Sequence, residues 1–532
     1  MSLAPALPGV PPGGARQPLG FFDRWPVMLL VCLVAVLPLL PVGIAPLTDL
    51  YGHLGRHAVQ TELASRPGLQ PYFSYDWQLM GNLGGDILVQ VLHPLFGIEG
   101  AVRATVILTQ LLGALGLMLV SRELHGRITP FAIAAIALLY GYPFNYGFIN
   151  YTLSMALALL AYALWLRLRR EGRERAAGLW LAAAGAGVWV CHTYGWAFLG
   201  LLCGSTMLAE VFAARMHPFA AVRRILAACS PLLLPLVPMV IWRAGSSGAA
   251  ISGWDWEFKT KWLIAPLRTY WRDLDEYSAA ALAALPLWAL FSWTVRMHRG
   301  MTVAAVLCAL FFLALPFRVF GSAFADMRLL PYAMAAALLA IGPVRLGAKT
   351  LAAAGALALA IFGVRMATTA AAYVEQDRKV QSALLALDRV PEGARVAFFS
   401  VKPCITPWAL APLDHLAGAA MARRSAFVND QWQQPGVNPL KVRYPAAEPF
   451  TRDPSHLVQR EDCARPTTRP KLSAALAKLP REAFTHVWIV GEYAPDMAPP
   501  EGFVPVPVAG RSLLFAAAPA PSQLRRAQAA AR

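Results

Sequence analysis

Charge is what this sequence has least of: Asp, Glu, Lys and Arg make up 14% of its 532 residues, where a soluble chain carries about a quarter. The deficit is uneven. Residues 25–368 are nearly continuous apolar blocks, whereas 369–532 has ordinary soluble composition. Acids are scarcer than bases, 30 against 47. The resulting +17 excludes a nucleic-acid partner by its distribution, because many arginines stand in short clusters between apolar blocks, where membrane orientation explains them. The seven cysteines lack any metal-binding spacing. Cys32, Cys191, Cys203, Cys229 and Cys308 fall in apolar blocks as small buried residues, leaving Cys404 and Cys463 to the soluble part. A small-residue cleavage pattern after the first apolar block is also missing, so that block reads as a retained anchor. Residues 1–24, rich in Pro and Gly, are expected to be a disordered cytoplasmic N-terminus.

What is present is an α-helical polytopic membrane protein, 25–368, followed by a small soluble α/β domain, 369–532. About twenty apolar residues cross a bilayer as a helix. Candidate spans are 25–47, 101–120, 128–145, 147–167, 176–195, 196–214, 224–242, 277–295, 301–317, 329–344 and 349–367, about eleven transmembrane helices. The block 176–214 must turn near "CHTYG", residues 191–195. "DILVQVLHPLFGI", 86–98, is too short to span and reads as a re-entrant or interfacial helix. Arg122, Arg127, Arg167, Arg169, Arg170, Arg173, Arg175, Arg215, Arg223, Arg224, Arg296, Arg299, Arg345 and Lys349 all fall in alternate connections. The positive-inside rule makes these cytoplasmic and puts loops 48–100 and 243–276 outside. An odd span count carries 369–532 to the same outer side. The Ala/Leu/Arg-rich composition suggests a bacterial inner membrane, and hence a periplasmic C-terminal domain. Within that domain 393–401, 485–491 and 511–517 read as strands. Its two cysteines would then share an oxidising compartment and can pair.

Ionisable chemistry is concentrated in the outer loops. "PLTDLYGHLGRHAVQTEL", 46–63, sets Asp49, His53 and His57 along one helix face just after the first span. "YFSYDWQLMGNLGGDIL", 72–88, adds Asp76 and Asp86 among aromatics. Asp49, His53 and His57 could bind a divalent cation, although hydrogen bonding within the loop is the simpler role for the two imidazoles. Acids and aromatics here also fit a solvated rim with an aromatic belt. His192 should reach the same face, where a satisfied helix-end histidine is the simpler reading. "GWDWEFKTKWLIAPLRTYWRDLDEY", 253–277, offers tryptophans with Lys259, Lys261, Arg268 and Arg272, suited to anchoring in membrane lipids or to holding a lipid phosphate. Arg318 and Arg328 flank a short outer loop as further phosphate candidates. "NDQWQQPGVNPLKVRY", 429–444, could cap a sugar site, and a structural loop is the better reading.

A first span ending in Asp, an amphipathic outer loop, many spans and an outer C-terminal domain resemble the GT-C glycosyltransferases. "DLYGHLGRHAV", "NLGGDILVQVL" and "GYPFNYGFINYTLSMALAL" look like a group of bacterial membrane proteins of this type, with Asp-x-x-x-His-x-x-Arg in the first loop. The resemblance implies an enzyme that moves a sugar from a polyprenyl-phosphate carrier to a glycan or glycolipid acceptor on the outer membrane face. Asp49 would be the general base with His53 supporting it. His57, Asp76, Asp86, His192, Arg268, Arg272, Arg318 and Arg328 would bind substrate, with no metal assigned and a divalent cation at Asp49, His53 and His57 as the minority reading. The rival reading is a non-catalytic polytopic scaffold or a lipid or polysaccharide translocator.

Overall fold

The structure is a computed structural model and describes residues 20–244, 253–319, 322–344, 349–434, 436–464 and 467–519. The expectations for most of 1–24, part of 243–276, and Arg345 lie outside these residues. Apolar blocks form helices because a backbone in hydrocarbon must satisfy its own polar groups. Among the described residues, four helices are long and apolar enough to cross a membrane: Gly84–His125, Ile149–Arg170, Thr193–Ala213 and Lys349–Arg389. A fifth is added if Pro218–Leu233 and Leu236–Trp242, bent by 49°, count as one span. The remaining expected spans are represented by shorter or interrupted helices, and local sequence explains several of the breaks. Trp25–Val36 passes into a 3-10 turn holding Pro38. Leu330–Leu339 gives way to Ile341–Pro343, which pairs antiparallel with Val295–Met297. The turn expected at 191–195 is present: Glu174–Cys191 ends at an extended His192 and a new helix starts at Thr193. Residues 86–98 form an arm of the long helix Gly84–His125, set off from the span by a break at Gly97, φ 66°. A positive φ there is open to glycine without strain.

Arginine-rich connections gather at one end of the helices. Arg169 pairs with Glu210 at 2.8 Å and Arg170 with Glu123 at 2.5 Å. Helix Ile149–Arg170 has 22 residues, a rise of about 33 Å, and its opposite end abuts the first loop, where Asp49 N donates to Tyr146 O at 2.9 Å.

At that opposite end sits a six-stranded sheet. The three expected strands are Arg395–Lys402, His486–Gly491 and Leu513–Ala517. Arg395–Lys402 is central. It runs parallel to His486–Gly491 on one side, and on the other to Phe427–Val428 and Leu457–Gln459. Val396, Ala397, Phe398 and Phe399 are fully buried, as expected of a strand covered on both faces. The first loop is stitched to this unit. Phe73–Tyr75 pairs antiparallel with Leu440–Val442, and helix Gly418–Arg424 packs on helix Leu50–Glu62. Gly418 permits the approach: a Cβ there would lie 1.9 Å from Tyr51 O. Cys404 and Cys463 form a disulfide, Cα atoms 5.2 Å apart.

Candidate active site

Asp49 precedes helix Leu50–Glu62 and is 8% exposed. Gly147, φ 108°, leaves room for it, since a Cβ there would fall 2.9 Å from Asp49 Cβ. Facing Asp49 is a set of side chains from the loops of the C-terminal sheet. His415 Nε2 lies 3.8 Å from Asp49 Oδ1, and Asp414 and Asp453 act on Asp49 through their charge. Burial, then Asp453 and Asp414, pushes the Asp49 carboxyl well above the usual carboxylate range, while Arg328 pulls it back. Burial likewise raises Asp453 to about 7 and lowers His415 to about 4. Lys402, at the end of the central strand, is ion-paired with Asp414. These groups occupy the carboxyl end of the parallel strands and the loops beside it, where open α/β sheets ordinarily hold ligands.

Arg328 supplies the opposing charge. It is 4% exposed, donates to Ser322 Oγ at 2.9 Å and Ala323 O at 3.2 Å, and lies 4.2 Å over the Phe148 ring. Its Nε has no hydrogen-bond partner among the described residues. A buried carboxylate and a buried guanidinium thus stand in each other's field at the membrane end of the sheet.

The chain is similar to ArnT. Two solved structures of ArnT from Cupriavidus metallidurans align with it, both at 14% identity. The apo form has TM-score 0.48 over 93% of this chain and 99% of that one. The form bound to undecaprenyl phosphate has TM-score 0.44 over 94% and 100%. No family model and no curated protein matches the chain.

The other expected site residues are distributed differently. His53 is tied to Asp49 through the backbone, its N donating to Asp49 O at 3.0 Å, while its ring packs on Trp432, centroids 5.3 Å apart. His57 Nδ1 bonds to Gln60 Oε1 at 2.9 Å, and burial, with Arg56 adding to it, lowers its ring to about 4. The ligand atoms of Asp49, His53 and His57 do not form a cluster among the described residues, because those rings turn toward Trp432 and Gln60. A cavity of about 20 Å³ lies beside His53, Arg56 and His57, room for one water. Asp86 is sealed and structural: it meets Arg56 at 3.1 Å, accepts from Tyr75 Oη at 2.7 Å, and accepts from Asn150. Asp76 is a surface acid paired with Lys441. His192 caps the helix that follows it, its Nδ1 accepting from Tyr194 N at 3.1 Å.

Arg268, Arg272 and Lys259, all candidate phosphate cations, have partners within the protein. Arg268 donates from Nε and Nη2 to Trp408 O and Pro407 O, each at 2.6 Å. Arg272 is exposed and paired with Glu276 at 2.8 Å. Arg318 lies exposed on a two-residue strand. Lys259 spends its donors on Phe312 O, Leu315 O and Asp326. Sequence reasoning missed Lys402, Asp414, His415, Asp453 and His456. The visible trace was only "DH" at 414–415 and "DPSH" at 453–456. Within 429–434, Asn429, Asp430 and Gln431 are fully buried and the Trp432 ring packs at a tilt against His415, centroids 4.2 Å apart.

Proposed function

We propose that the protein is a membrane glycosyltransferase that moves a sugar from a polyprenyl-phosphate carrier to a glycan or glycolipid acceptor at the outer face of a bacterial inner membrane, with its C-terminal region in the periplasm. The observation that carries this reading is that Asp49 and Arg328 are both buried and that the Arg328 charge acts on the Asp49 carboxyl. The acceptor hydroxyl would give its proton to Asp49 while its oxygen attacks the anomeric carbon. The bond from that carbon to the carrier phosphate breaks with inversion, and the charge growing on the phosphate falls to Arg328. A phosphate leaves without protonation, so one base and one cation suffice. Arg328 is better suited than Arg268 or Arg272, because a buried guanidinium acts in a lower dielectric than an exposed one and costs less reorganisation.

Asp49→Asn keeps shape and removes the base. Transfer should fall by about 10²–10⁴, read as loss of the modified glycolipid by mass spectrometry when the variant is returned to a deletion strain at normal expression. Asp255→Asn is the control, since Asp255 only caps helix Trp256–Ile264, accepting from Phe258 N at 3.0 Å. Full complementation by Asp49→Asn would leave a scaffold or translocator as the reading.

A further inference from the structure

We infer that His415, Asp453 and His456 form a binding site for one divalent transition-metal ion of the zinc class. One imidazole nitrogen from each histidine and one carboxylate oxygen of Asp453 all lie within 4.8 Å of one another. His456 is fully buried, and among the described residues neither of its ring nitrogens makes a well-formed hydrogen bond, the backbone carbonyl of Asp414 being the one backbone group that acts on the ring. Buried polar groups are ordinarily paired, so an imidazole without a well-formed hydrogen bond asks for a ligand. Asp453 Oδ1 lies 3.9 Å from His456 Nδ1.

His415 is oriented as a metal-binding histidine would be. Its Nδ1 lies 3.1 Å from Asp430 O. A carbonyl only accepts, so that nitrogen carries the hydrogen and the Nε2 lone pair is left over. That lone pair faces Asp49 Oδ1 at 3.8 Å. The gap is too wide for a hydrogen bond and close to the spacing of two ligand atoms on one cation. The donor set decides the class. Paired imidazoles select zinc and its neighbours over magnesium or calcium, which prefer oxygen. Ligand atoms around tetrahedral zinc lie roughly 3.3 Å apart, given Zn–N bonds of about 2.0 Å, so the three side chains would close on the ion by rotamer adjustment. Two imidazoles and one carboxylate leave a fourth position open, on the side bordered by Asp49.

This inference does not rest on the proposed transfer reaction, and its test needs no turnover. The full chain, purified in detergent, is stripped with chelator, dialysed against micromolar Zn²⁺, and its metal measured by elemental analysis. Cobalt loading supplies the visible absorption of a tetrahedral site as a second readout. Wild type should retain about one equivalent. His456→Ala and Asp453→Asn should weaken binding by at least roughly 10–100-fold, the range seen even for outer-shell partners. Asp453 is partly exposed, so its variant tests the site without opening the core. His486→Ala removes an imidazole on another strand, bonded to Thr485, and should keep the full equivalent. Wild-type protein that retains no zinc or cobalt, or an Asp453→Asn protein that binds as wild type does, overturns the inference.

Discussion

Asp86 and Arg56 are buried together, side chains 0% and 5% exposed. Burial pushes the Asp86 carboxyl up, but Arg56, His57, Tyr75 and Asn150 outweigh it and hold the group below the usual carboxylate range. Removing one partner of such a pair strands the other. Asp86→Ala is therefore expected to destabilise the protein by about 3–5 kcal/mol. Asp76 pairs with Lys441 at the surface, and Asp76→Ala should change stability by only about 0–1 kcal/mol. Thermal unfolding of both variants in one detergent decides this. Equal midpoints would show that Asp86 is not the structural acid described here. The same contrast separates Asp49 from its loop neighbours, since among the described residues Asp49 lacks a close cationic partner of the kind Asp86 has in Arg56.

Two elements shape how the loops meet the membrane. In the arm before Gly97, Ile87, Val91, Leu95 and Phe96 are 41, 63, 75 and 57% exposed. Their spacing places them along one helix face, and an exposed apolar stripe on a short helix beside spans is suited to the lipid interface. A nitroxide at Val91→Cys in liposomes should be reached better by oxygen than by a water-soluble relaxation agent, and the reverse order would put the arm in water. The second element is the network around Asp275. It accepts from Thr269 N, Thr269 Oγ1, Arg365 Nη1 and Trp408 Nε1, each at 2.7 Å. Arg365 thereby joins the last long helix to the segment 267–275 and to the C-terminal part of the chain. That network and the Arg268 bonds to Pro407 and Trp408 hold the sheet against the helices.

At the scale of the molecule, the arginine-rich connections and the candidate site occupy opposite ends of the helices, and the disulfide lies with the site. Cys404 is exposed, and disulfides persist in oxidising compartments. A membrane-impermeant thiol reagent applied to spheroplasts should label Cys404 only after reduction, while Arg175→Cys and Arg224→Cys should stay unlabelled until the membrane is opened. Labelling of Cys404 without reductant would exclude the disulfide. Labelling of Arg224→Cys in intact spheroplasts would reverse the orientation and remove the site from the outer face.

Apolar blocks, arginine clusters, the strands around 395–402, 486–491 and 513–517, and the acid that opens helix Leu50–Glu62 are local properties. Hydropathy, period and charge act over a few residues, and they decide these features wherever the chain goes next. Span lengths were less legible, because Pro38, the 3-10 turn at 136–140 and the strand pair at 295–297 and 341–343 interrupt runs whose composition alone would let them cross. The meeting of Asp49 with His415, Asp453 and His456 was decided only in three dimensions. It depends on the pairing of Phe73–Tyr75 with Leu440–Val442 and on the close approach of Gly418 to Tyr51. Those contacts join distant segments whose register is set by packing rather than by a sequence period. The same holds for the cations. Lys, Arg and Trp in 253–277 announce affinity for headgroups, but whether a given guanidinium is free depends on which carbonyls the fold brings to it. For Arg268 these are Pro407 and Trp408, from the far end of the chain.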